Sequence, residues 1–151
     1  MAAAVPPDAP AVFDRLCTAA MRQGCRLFTI TAADADLTTF DRRYTSHPAE
    51  YPVSGTKPIE RDAWYEHVIT RRQSFVANTP AEFEKLFFDH ALITSMGLGS
   101  CLNIPLIAGG RVLGTVNFLA GAQHFTPQRL AAYHAMTDAE AADLARQLGG
   151  D

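Results

Sequence analysis

Apolar positions recur along this chain first at helical and then at strand spacing. Val12, Leu16 and Ala20, with Phe13 and Cys17 beside them, make one stripe of period 3.6, which predicts an amphipathic helix over 10–23. Pro10 suits its start, where the first-turn amide has no helical partner, and Gly24 ends it. Segments 25–31 and 37–46 are rich in β-branched and aromatic residues and predict an antiparallel pair joined by the polar stretch 32–36. Segment 47–58 carries three prolines and a glycine, which excludes regular helix or central strand and predicts a long loop.

A second helix is predicted over 60–72, with Glu60 and Asp62 in its first turn, Arg71 and Arg72 in its last, and Trp64, Tyr65, Val68 and Ile69 inward. A short strand over 74–77 precedes a helix capped by Asn78 or Thr79, with Pro80 at its first position and Phe83, Leu86 and Phe87 inward. Segment 90–96 adds a further turn or two. Two β-rich runs, 100–108 and 111–120, flank Gly109-Gly110, the pattern of a hairpin with a tight primed turn. Thr126 as cap and Pro127 as first residue launch one closing helix through Leu148, with Leu130, Tyr133, Met136, Ala141, Leu144 and Leu148 near one side. The sum is an α+β domain, a mostly antiparallel sheet with helices on its faces.

Composition adds boundaries to that outline. With 151 residues, 48% hydrophobic and 19% charged, the chain suits one domain with one core. The expected division is a disordered 1–8, rich in Ala and Pro, a domain over 9–148 and a short tail over 149–151. A net charge of −3 provides no field to gather phosphate backbones, so nucleic acid is not an expected partner. The pairs Arg42-Arg43 and Arg71-Arg72 are expected to solvate or cap a strand and a helix end. No apolar run approaches the roughly 20 residues of a membrane span, and no signal-peptide pattern opens the chain, so a cytoplasmic protein off the membrane is expected. Cys17, Cys25 and Cys101 form neither an even disulfide set nor a CxxC pair and read as free thiols. The five histidines lack metal-binding spacing, so no metal site is expected.

The run Ser100-Cys101-Leu102-Asn103-Ile104-Pro105-Leu106, then Gly109-Gly110, then Arg111-Val112-Leu113-Gly114-Thr115-Val116-Asn117-Phe118 and His124-Phe125-Thr126, resembles the GAF family. In that family an apolar strand ending in Pro-Leu, a glycine turn, a strand with Leu or Ile before Gly, and Phe-Thr opening the last helix follow in this order. The order of elements extends the likeness over 9–148. The resemblance implies a PAS-related antiparallel sheet of five or six strands. It also implies terminal helices on one face and, on the other, a pocket covered by loops and short helices. It further implies binding of a small molecule (cyclic nucleotides, tetrapyrroles, haem and amino acids are among the ligands of such domains) and homodimerisation through the terminal helices. Such domains usually regulate an attached output domain; these 151 residues hold none, which suggests a free-standing sensor or a signalling partner acting in trans. The cofactor is not specified.

Candidate site residues follow from the residues themselves. Tyr44, Tyr51 and Lys57 in the proline-stiffened segment, with Trp64 after it, offer aromatics, a cation and an indole able to enclose an anionic or planar ligand. The competing reading is that these aromatics only cover the sheet. Phe75, Asn103 and Asn117 complete the set. With a two-residue turn, Ile107 faces Val112, Pro105 faces Gly114, Asn103 faces Val116 and Cys101 faces Phe118, which puts Asn103 and Asn117 on opposite faces. Each asparagine either meets the ligand or bonds nearby backbone, because an unpaired buried amide costs about 1–3 kcal/mol. No catalytic constellation is apparent. Cys101 as a redox nucleophile has no adjacent base or cation, and a sulfoxide reductase of the GAF type would need cysteines in 75–99, where there are none. The rival functional reading is a ligand-free dimerising module whose pocket is filled by its own aromatics.

Overall fold

The computed structural model describes residues 9–53 and 56–149. The expected disordered segment 1–8, the last two residues of the expected tail, and Ser54 and Gly55 of the long loop lie outside the described residues. Helix α1, Ala11–Arg22, buries Val12, Phe13, Leu16 and Ala20, and Gly24 leaves it at φ +101°. Strands β1 (Leu27–Ala33) and β2 (Thr39–Thr45) pair antiparallel. Their turn is held by Asp34, whose carboxylate accepts from the amides of Thr38 and Thr39. The predicted long loop ends in a strand that its prolines concealed. Here β3, Thr56–Pro58, pairs with β2 at the sheet edge, where a proline costs no ladder bond.

The predicted helix over 60–72 is shorter at both ends. Asp62 accepts from the Tyr65 amide at 2.9 Å and so acts as the cap, not as a first-turn acid, and α2 is Ala63–Tyr65. It continues as a π-helical turn, Glu66–Thr70, in which the Arg71 amide reaches the Glu66 carbonyl. Strand β4, Phe75–Ala77, leads to α3, Pro80–Phe83, where Glu82 accepts from the amides of Asn78 and Thr79. Helix α4, His90–Ser95, follows. The hairpin is β5, Ser100–Ala108, and β6, Arg111–Ala120.

The sheet runs β3-β2-β1-β6-β5-β4 with every neighbouring pair antiparallel. The single closing helix of the sequence reading is two helices. Thr126 caps α5, Pro127–Ala139, as expected, but Glu140 leaves helical geometry at φ −106°, ψ 7°, and α6, Ala141–Gln147, starts anew. Arg15 of α1 clasps the Glu140 carboxylate through Nε and Nη2 at 3.1 and 2.9 Å and also reaches Asp143, which ties α1 to that bend. Helices α1, α5 and α6 cover one sheet face, where Phe28, Ile30, Leu102, Ile104, Val116 and Phe118 join Leu16, Tyr133 and Leu144 in one core. The π turn, α3 and α4 stand over the other face in two smaller clusters.

Two β-bulges interrupt the alternation that the sequence suggests. In β2, Ile30 pairs with Tyr44 but Thr31 pairs with Arg42, so Arg43 is the extra residue. In β6, Ile107 pairs with Val112 but Leu106 pairs with Gly114, so Leu113 is the extra residue. The expected pairs of Pro105 with Gly114, Asn103 with Val116 and Cys101 with Phe118 are therefore wrong by one. Pro105 faces Thr115, Asn103 faces Asn117, and Cys101 faces Leu119. Gly114 sits at this kink because a Cβ there would lie 1.9 Å from the Thr31 carbonyl oxygen.

Candidate functional site

The second bulge has a direct chemical result. One residue of slip moves Asn117 onto the face of Asn103, and the two amides meet: Asn103 Nδ2 donates to Asn117 Oδ1 at 2.9 Å. Asn117 Nδ2 donates onward to Thr29 Oγ1 at 3.2 Å, and Trp64 Nε1 of α2 donates to Asn103 Oδ1 at 2.9 Å. Thr31 and Thr115 share a hydroxyl bond of 2.6 Å beside this chain. A polar relay of Trp64, Asn103, Asn117 and Thr29 thus crosses β5, β6 and β1 on the face away from the terminal helices. Both asparagines are buried, and the relay supplies the partners that burial requires.

Above that floor lies a cavity of about 450 Å³. Five aromatic residues line it (Phe40, Tyr51, Trp64, Phe87 and Phe88), with Leu27, Leu119 and Ile93 among the aliphatic neighbours. The Tyr51 hydroxyl donates to Asp89 Oδ2 at 2.6 Å, closing one wall, and burial with this bond raises the Tyr51 phenol far above its ordinary range. Phe88 is 85% exposed at the rim, with the Lys57 ammonium 5.6 Å from its ring centroid.

Arg42 also lines the cavity, contrary to the expectation that the Arg42-Arg43 pair only solvates a strand. Its guanidinium lies 5.0 Å from the Tyr51 ring centroid, and Nη1 donates to the Pro52 carbonyl at 2.9 Å. Its Nε is buried without a hydrogen-bond partner among the described residues, a state that costs on the order of 1–3 kcal/mol. Burial lowers the pKa of both Arg42 and Lys57, with Asp89 the carboxylate that most opposes this for Lys57. Arg43, by contrast, turns outward and pairs with Asp41.

Of the residues singled out from the sequence, the structure brings Tyr51, Lys57, Trp64, Asn103 and Asn117 to this one cavity. Tyr44 is elsewhere. The bulge at Arg43 turns it to the helix-covered face, where its ring packs edge-on against Phe13 and Phe28 and its hydroxyl donates to Asp14. Phe75 shares the sheet face of Asn103 but packs against His67 and Phe87, outside the lining. Sequence reasoning missed Arg42, Asp89, Phe88 and the three threonines. Strict alternation from Phe40 would have flagged Arg42, though with Tyr44 as a false companion.

Cys101 is fully buried in the floor, and burial pushes its thiol up to about 12, so it is not poised as a nucleophile. None of the histidines lines the cavity, so the residues present do not fit an axially histidine-ligated haem there. Among the described residues no group of three His, Cys, Asp or Glu side chains is placed to hold a metal ion, and no helix is long and apolar enough to cross a membrane.

An antiparallel sheet with terminal helices on one face and a ligand-sized cavity on the other defines the class of the fold, an α+β domain with room for a small molecule. The family model for the GAF domain matches residues 7–141, and the chain belongs to the GAF domain family. No curated protein matches it. Among solved structures it is similar to the GAF domain of a two-component sensor histidine kinase from Bacillus halodurans, with a TM-score of 0.74 at 14% identity over 93% of this chain and 97% of that one. The GAF domain/HD domain protein from Geobacter sulfurreducens gives a TM-score of 0.74 at 14% identity over 92% and 93%. The blue-light absorbing form of the PixJ GAF domain from Thermosynechococcus elongatus gives 0.65 at 16% identity over 91% and 84%. At these identities the likeness establishes the fold.

Proposed function

We propose that this GAF domain is a ligand-binding regulatory module in which a small molecule occupies the cavity between the sheet and residues 51–93. The observation that carries this reading is the cavity itself. Its aromatics stand around about 450 Å³ of space instead of filling it, a volume within the roughly 300–1,000 Å³ of small-molecule sites. Its floor offers placed amides and hydroxyls rather than a uniform apolar surface, which favours a ligand with polar edges.

The same strand that carries Asn117 and Thr115 to the cavity carries Val116 and Phe118 to the opposite face, where the Phe118 ring lies 4.8 Å from that of Tyr133 on α5. Occupancy that shifts β6 is therefore felt by the terminal helices, and a signalling partner contacting those helices reads it out in trans. The alternative of a ligand-free dimerising module requires the pocket to be filled by its own aromatics, which instead leave about 450 Å³ open.

Native mass spectrometry of freshly purified protein, followed by thermal shift against a broad set of metabolites, tests the proposal. A copurified small molecule, or a ligand that stabilises the fold by about 2.7 kcal/mol at a hundredfold excess over its Kd, is the expected result. Clean apo protein that no metabolite stabilises would remove the sensor reading.

A further inference from the structure

We propose that Arg42 and Lys57 form an anion anchor on one wall of the cavity, and that the ligand is a small, flat monocarboxylic acid whose carboxylate docks there while its ring lies among the aromatics. This rests on the reading of the cavity as a ligand site and names the chemistry it selects.

Register puts the anchor together. Lys57 of β3 faces Phe40, and Arg42 follows two residues later on the same side of β2, so both cations rise from the cavity face of adjacent strands. Neither makes an ion pair among the described residues, whereas Arg15, Arg43, Arg71 and Arg146 each do. Arg42 is held by the Tyr51 ring and by the Pro52 carbonyl, which engages Nη1 and leaves Nη2 without a hydrogen-bond partner among the described residues. A carboxylate in the cavity supplies an acceptor to that open edge of the guanidinium, in the planar geometry arginine favours.

The charge of the occupant follows from the carboxylates nearby. Asp89 acts electrostatically on both cations and already accepts from Tyr51, and Asp62 acts on Lys57, so the two cations already stand among carboxylates and the wall takes at most one further negative charge. A dianion such as phosphate would bring excess charge to a wall that also carries Glu60 and Asp62. The five surrounding rings suit a flat body, and the uncharged amide floor suits polar atoms at its edge.

The test uses the unmodified 151-residue protein and matched probes: benzoate, phenylacetate and quinoline-2-carboxylate, each beside its primary carboxamide, with inorganic phosphate as a third arm, by calorimetry. The proposal expects at least one acid to bind at least about tenfold more tightly than its amide, phosphate to compete poorly, and Arg42→Gln to abolish the preference. Asn103→Ala should weaken acid and amide alike, because it removes a floor contact rather than the anchor. Equal affinity for acid and amide, or a preference that survives in Arg42→Gln, overturns the anchor while leaving the cavity a ligand site. Phosphate competing as well as the acids overturns the carboxylate assignment. If neither acids nor amides bind to folded protein, the anchor is overturned, and the metabolite screen then decides the fate of the wider sensor reading.

Discussion

On the helix-covered face of the sheet, Phe28, Ile30, Leu102, Ile104, Val116 and Phe118 are buried in one core against three helices. On the cavity face the alternate residues of the same strands are Thr29, Thr31, Asn103, Thr115 and Asn117, bonded to one another and to Trp64 below about 450 Å³ of open volume. Dispersion and burial are used up on the first face, so its side chains act on stability. Polar groups satisfied laterally on the second face hold their positions beneath open volume, so their substitution is expected to act on binding as well as on stability.

Substitutions break this comparison in a graded way. The largest effect is expected where the faces join: in Gly114→Ala the new methyl meets the Thr31 carbonyl, and urea denaturation should show a loss of more than about 3 kcal/mol or no folded protein. Phe118→Ala, wholly on the helix-covered face, should cost about 3–5 kcal/mol in the same assay, with the ligand preference retained in whatever folds.

Asn117→Ala on the cavity face should cost about 1–3 kcal/mol by stranding Asn103 and should also alter binding. A double-mutant cycle with Asn103→Ala should return a coupling of about 0.5–3 kcal/mol, and an additive result would deny that the relay is one unit.

The thiols divide between the faces, Cys25 with the helices and Cys101 in the cavity floor, and burial pushes both up to about 12. In the unfolded chain such thiols ionise near 8.5, so above that value the unfolded state holds fewer protons than the native one. Stability should therefore fall as pH rises from about 9 towards 12, and Cys101→Ala should remove part of that fall in pH-dependent denaturation. The smallest effect belongs to Tyr44→Phe, which loses one hydroxyl bond to Asp14: about 1.5 kcal/mol at most, and no change in ligand binding.

The local elements were largely legible because each rests on signals within a few residues. The stripe of α1, the Gly24 stop, the Thr126 cap with Pro127, and the glycine turn of the hairpin all stand where pattern and capping chemistry put them. Strand β3 was hidden because its stability comes from pairing with β2, not from its own proline-flanked sequence. The break at Glu140 was hidden because the group that holds it, Arg15, lies 125 residues away in the chain.

By itself the sequence determined the α+β class and the GAF resemblance, and it singled out Tyr51, Lys57, Trp64, Asn103 and Asn117, although it put the two asparagines on opposite faces. Only the tertiary structure decided which face each strand residue meets. Side chains alternate with a period of two, so a single extra residue at Arg43 or Leu113 reverses every assignment beyond it, and neither residue type signals a bulge. One bulge took Tyr44 from the site and left Arg42 there; the other brought Asn117 to Asn103 and made the floor.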